Sequence, residues 1–136
     1  MRLNSLSRVS KFAIHNGKEH VSKALHDREI AEYLLEKNLF PDWVITCSFY
    51  FVLHCVDSYA HKLGIRSFDP APDENKSAHR KRELFVQKNL KDYFFWYMKL
   101  KDRSSQARYD PTYFQLIKPG YPKELFDKTK CFLKIK

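Results

Sequence analysis

Glycine is scarce, with only Gly17, Gly64 and Gly120 among 136 residues. Phosphate-cradling loops need several glycines at short fixed spacings so that backbone N–H groups can close on the phosphates. Three isolated glycines exclude both the P-loop and the dinucleotide-binding fingerprint. Cysteine is equally rare and odd in number: Cys47, Cys55 and Cys131 show neither the pairing arithmetic of a disulfide framework nor the short spacings of a zinc site. The expectation is a reduced setting with no cofactor and no metal. Long apolar runs are missing too. The most apolar stretch, Trp43 to Val56, is interrupted by Ser48 and His54 and falls short of the roughly twenty residues that cross a bilayer. Met1 to Phe12 carries Arg2 and Arg8 but no continuous apolar segment of signal-peptide length. A cytoplasmic protein with no membrane contact is expected. Internal repeats, low-complexity tracts and nucleophile motifs are absent as well.

What is present suits one folded domain. Hydrophobic residues make up 43% and aromatic residues 15%, enough to build a core in a chain of single-domain length. Lysine and arginine number 25 against 16 acidic residues, a formal charge of +9. An excess of that size favours an anionic partner, nucleic acid first, because cations that neutralise phosphates release counterions and gain affinity without reading sequence. The competing reading is charge that only solubilises.

The pattern along the chain is helical. Val21, Ala24, Leu25, Ala31, Leu34 and Leu35 recur at helical spacing and predict an amphipathic helix from Lys18 to Lys37. Pro41 and Asp42 suit the first turn of a second helix, which runs to Lys62 and stops at Gly64. Apolar groups on nearly every face place it at the centre or at a subunit interface. Residues Ile65 to Lys76, with Pro70 and Pro72, read as an exposed loop. Ser77 caps a helix starting near His79, which either continues through the aromatic run Tyr93 to Tyr97 or breaks near Asn89. Ser104 and Ser105 weaken it before Gln106. A last helix spans Pro122 to Leu133. The expectation is an all-α fold, an antiparallel up-and-down bundle of four to five helices. It forms one domain over residues 1–136, with an N-terminal arm 1–17, a bundle 18–110 and a C-terminal extension 111–136.

The segments Asp42 to Ile65 (DWVITCSFYFVLHCVDSYAHKLGI), Ser77 to His79 (SAH) and Leu100 to Asp110 (LKDRSSQARYD), in this order and spacing, resemble the HEPN superfamily of helical bundles. The resemblance covers about residues 18–110. It implies a dimeric bundle in a family that includes metal-independent ribonucleases, toxin and defence components, and members that only bind RNA, nucleotides or proteins. The family's nucleases carry an arginine and a histidine separated by four to six intervening residues. That motif is missing from the late helices here, and the single formal match, Arg8 to His15, is of the kind expected roughly once by chance in a chain with this many arginines and histidines.

Three constellations carry chemistry. His79, Arg80 and Arg82 begin a helix behind the loop. Histidine moves a proton near neutral pH while arginine holds a phosphate, the two roles that metal-independent RNA cleavage needs. The bland reading is a packed histidine with solvated arginines. Arg103 and Arg108 join that surface as RNA-binding candidates or act as helix-end cations. His54, Asp57 and His61 share one helical face as a polar stripe; such a set can ligate a metal but more often makes internal hydrogen bonds, and no further ligand is evident. The aromatic run Tyr93 to Tyr97, bracketed by lysines, offers one or two stacking contacts at most, because five consecutive helical aromatics point in all directions.

Three functions follow: a homodimeric protein that binds RNA or another phosphate-bearing ligand as a toxin-antitoxin or defence component; a metal-independent endoribonuclease using His79 and Arg82; or a non-catalytic protein-interaction or antitoxin module.

Overall fold

The computed structural model describes residues 17–135, and all its regular structure there is helical. Arg8, His15 and most of the expected N-terminal arm lie outside the described residues. Among the described residues there are six helices: α1 (Gly17–Glu36), α2 (Pro41–Lys62), α3 (Ala78–Asn89), α4 (Phe94–Tyr109), α5 (Tyr113–Leu116) and α6 (Tyr121–Lys128). Short 3-10 turns at Lys91–Tyr93 and Thr129–Lys134 precede α4 and follow α6. None of these helices is long and apolar enough to cross a membrane.

Local chemistry sets the boundaries. α1 ends where Asn38 takes a left-handed φ of 55°, with Leu39 N–H donating to Leu34 O and Asn38 N–H to Leu35 O. The same pair of bonds closes α2: Ile65 N–H reaches Ala60 O, Gly64 N–H reaches His61 O, and Gly64 takes φ 91°. This Schellman arrangement satisfies orphan carbonyls and favours a residue without Cβ at the left-handed position. Ser77 caps α3, its Oγ accepting from Arg80 N–H at 3.1 Å. Leu90, at φ −134° and ψ 54°, breaks the chain between α3 and α4. The late aromatic segment is therefore two helices.

α2 is central. It buries Val44, Ile45, Phe49, Phe51, Val52, Leu53, Val56 and Ala60 on several faces, each large side chain contributing about 1.5–3 kcal/mol. The hydroxyls of Thr46 and Ser48 are absorbed by the carbonyls of Asp42 and Val44, four residues back. α1 meets α2 through Ala24, Asp27 and Ala31, small residues that let the helices approach. Val21 and Leu25, expected on the inner face, are 46% and 50% exposed instead. The helix itself lies where the periodicity puts it, but its inner face is the alanine and aspartate stripe.

α4 runs through Ser104 and Ser105 to Tyr109, whereas the serines were expected to weaken it. Ser104 is fully buried, its hydroxyl without a hydrogen-bond partner among the described residues. Residues beyond 110 complete the core, with Leu125 and Phe132 packed into the same cluster as Phe49, Tyr97 and Leu100. Arg28 of α1 lies over the rings of Phe51 and Phe126, 5.3 and 4.9 Å from their centroids, joining α1, α2 and α6. The cysteines are unpaired, and burial pushes the Cys55 thiol up to about 12, which keeps it protonated and unreactive.

Candidate functional site

Two polar clusters flank α2, and Asp57 belongs to both. The first lies where α2, α3 and α4 meet. His79, in the opening turn of α3, packs its ring 6.4 Å from that of Phe49, and its Nδ1 is buried without a hydrogen-bond partner among the described residues. Burial, then the charges of Arg82, Lys101 and Arg108, hold its pKa below the ordinary histidine value, against a smaller opposing pull from Glu83. The imidazole is neutral at neutral pH.

Arg82 is committed to Asp57. Its Nε donates to Oδ1 at 2.7 Å and its Nη2 to Oδ2 at 3.0 Å, and its guanidinium lies over the Phe68 ring. Burial works against the charge, but the bonds to Asp57 and that carboxylate's charge outweigh it and raise the Arg82 pKa further. Arg80 folds back to Glu83, 3.2 Å away, and Lys101 reaches the other oxygen of the same carboxylate at 2.8 Å. Burial opposes the Glu83 charge, yet these two cations keep its pKa below the usual carboxylate range. Three of the cations on this surface are thus paired with acids.

Arg108 is different. Its Nη1 donates to the hydroxyls of Tyr50 and Tyr109 at 2.8 and 3.3 Å, and its Nε to Ser104 O. The guanidinium carbon lies 5.3 Å from the Tyr50 centroid and 4.9 Å from that of Tyr109. It makes no ion pair to a carboxylate among the described residues. Tyr109 is 73% exposed and Arg108 is half-buried, so a ring face beside the charge reaches solvent.

Arg103 does not join this group. Five residues from Arg108, it points to another side of α4, where Nε donates to the Tyr121 hydroxyl at 3.0 Å and Nη1 to Gln106 Oε1 at 2.9 Å. It ties α4 to the start of α6. The aromatic run is mostly structural: Tyr97 is fully buried, Tyr93 packs against Phe132, and Lys128 covers Trp96. Phe95 remains exposed.

The second cluster lies between α1 and α2. His54 and Asp57 of the expected stripe meet His20 and Asp27 of α1 there. Burial first, against the pull of Asp57 and Asp27, lowers the His54 pKa to about 4. His61 falls outside this group, one turn further along beside the start of α1, its Nδ1 3.6 Å from where a Cβ on Gly17 would sit.

Sequence reasoning had Lys101 only as one of the lysines that bracket the aromatic run, and missed Tyr50, Tyr109, His20 and Asp27. One signal was present for Lys101: Tyr97, Lys101, Ser104 and Arg108 recur at spacings of four, three and four, a single stripe of α4. A cleft of about 840 Å³ lies elsewhere, between the α1–α2 turn and the C-terminal segment, lined by residues such as Leu35, Pro41, Val44, Ile117 and Phe126. It contains none of the candidate residues. The chain matches no family model, no curated protein and no solved structure.

Proposed function

We propose that this chain is a HEPN-like antiparallel helical bundle, dimeric and cytoplasmic, that binds RNA or another phosphate-bearing ligand without cutting it, in the manner of a toxin-antitoxin or defence component. The observation that carries the reading is Arg108. It is a cation with neutral partners only, set against two tyrosine rings, one of them open to solvent. A phosphate would find an uncompensated charge there and a base would find a ring face, and stacking contributes about 1–3 kcal/mol per base. The neighbouring Arg80, Arg82 and Lys101 are held by Glu83 and Asp57, so Arg108 carries the local charge, and the overall charge of +9 supplies long-range attraction.

A ribonuclease reading, with His79 as acid and base and Arg82 on the phosphate, draws support from the neutral His79 imidazole. It is weakened by Arg82, whose Nε and Nη2 are already occupied by Asp57. Arg108 is better placed chemically for the phosphate role.

The test is anisotropy titration of labelled single-stranded and structured RNAs across a salt series, with the same RNAs incubated in EDTA and resolved on gels. Expected are intact RNA, an affinity that falls steeply with salt, and a loss of about tenfold in Arg108→Ala. Cleavage by the parent that vanishes in His79→Ala establishes the nuclease instead. No binding at low salt leaves the protein-interaction or antitoxin reading, with the exposed Val21, Leu25 and Tyr33 of α1 as its surface.

A further inference from the structure

The α1–α2 cluster is not used by the phosphate-binding reading, and its geometry is that of a ligand set. His20 Nδ1 and His54 Nδ1 face each other at 3.4 Å, their rings stacked at 5.7 Å and 26°. Asp57 Oδ2 lies 4.0 Å from His20 Nδ1. One ligand atom from each of the three residues falls within 4.8 Å of the others. Nitrogen and oxygen ligands held about 2.0–2.1 Å from a tetrahedral ion sit roughly 3.3 Å apart, so small side-chain rotations bring this trio to ligand spacing. Two imidazoles that turn the same nitrogen toward each other are satisfied either by opposite tautomers, one Nδ1–H donating to the other Nδ1, or by a metal ion in place of that proton.

Asp27 adds an independent observation. Its side chain is 7% exposed. Its Oδ1 accepts from Lys23 Nζ at 3.0 Å and stands 3.3 Å from His26 Nδ1, while its buried Oδ2 has no hydrogen-bond partner among the described residues. That orphaned oxygen is 3.9 Å from His54 Nε2, the ring nitrogen opposite the one that faces His20. A metal-bound histidine nearly always gives its second N–H to a carboxylate, which sets the tautomer and raises the basicity of the ligating nitrogen. Asp27 Oδ2 stands where that acceptor belongs.

We propose that His20, His54 and Asp57 form a site for one divalent transition-metal ion of the zinc class, with Asp27 orienting His54 from behind and water completing the coordination. Two imidazoles and one carboxylate favour zinc, cobalt, nickel or copper over calcium and magnesium, which take oxygen ligands. Sequence spacing within α2 supplies His54 and Asp57 only; the further ligand comes from α1. The bound ion staples α1 to α2, and through Asp57, whose two oxygens also accept from Arg82, it connects both to α3. The proposal rests on this geometry and is independent of the RNA reading.

The test is titration of the full chain, stripped with EDTA and dialysed, with Co2+ and then Zn2+, followed by visible absorption, calorimetry and thermal melting. One equivalent of Co2+ is expected to produce ligand-field bands that Zn2+ abolishes, and Zn2+ is expected to raise Tm reversibly. His20→Gln and His54→Gln each weaken Co2+ binding at least tenfold, Asp27→Asn weakens it by about tenfold, and His61→Gln leaves it unchanged. The absence of a saturable one-to-one complex in the parent chain overturns the proposal, and this reading needs no variant to fold. Unchanged binding in His20→Gln and His54→Gln overturns it too, as does a loss in His61→Gln equal to theirs.

Discussion

Asp57 holds Arg82 with both carboxylate oxygens, at 2.7 and 3.0 Å, on side chains only 8% and 15% exposed. The pair locks the central helix α2 to α3. Removing one member leaves the other buried with its charge uncompensated, a loss of about 3–5 kcal/mol. Arg82→Ala and Asp57→Asn should each lower the urea midpoint by that order. The double variant should lose clearly less than the sum, because the second substitution removes the stranded charge. Strictly additive losses would show that the two groups are not energetically coupled. Functional tests on this surface are therefore better made at His79 and Arg108.

Tyr97 is fully buried, and its hydroxyl has no hydrogen-bond partner among the described residues. Burial pushes its pKa well above the ordinary tyrosine value, so it stays protonated. An orphaned buried hydroxyl costs about 1–3 kcal/mol. Tyr97→Phe keeps the ring that packs edge-on against Phe49 and should raise stability by about 1 kcal/mol, read as a higher denaturation midpoint. A clear loss of stability would mean that the hydroxyl is satisfied.

His79 gives the fold a pH dependence of definite sign. Its folded-state pKa is below the ordinary value, while in the unfolded chain it is near 6.5. Between those two values the unfolded chain binds the proton more readily. The contribution is fully present above about pH 6.5 and is lost as pH falls toward the folded-state pKa. Denaturation midpoints measured at pH 7.5 and 5 should show the parent losing more on acidification than His79→Gln. Equal losses would show that the imidazole titrates alike in both states.

Two left-handed residues make opposite predictions. Gly64 has φ 91° with open space where a Cβ would sit, so Gly64→Ala should cost about 1 kcal/mol from backbone strain alone. Phe40 has φ 45° and is 59% exposed, an unfavourable conformation for a bulky residue with little packing in return. Phe40→Gly should gain up to about 1 kcal/mol. Thermal melting of both variants checks the pair, and shifts of the same sign would contradict the assignment.

The local punctuation of this fold was written in the sequence. Caps and stops depend on residues within a turn of one another, so Pro41, Gly64 and Ser77 marked their helix ends, and apolar groups on every face marked α2 as the centre. The placement of His54 and Asp57 on one face followed from helical geometry in the same way. What the side chains meet was decided by packing. α1 turned Ala24, Asp27 and Ala31 inward and left Val21 and Leu25 outside, because small residues allow a close helix contact that hydrophobicity alone does not specify. That rotation brought His20 and Asp27 against His54. The charge of Arg82 was evident from sequence, but its neutralisation by a carboxylate 25 residues away, and the neutral partners of Arg108, became visible only once α2, α3 and α4 were packed, because ion pairing is a property of distance in space and not of order along the chain.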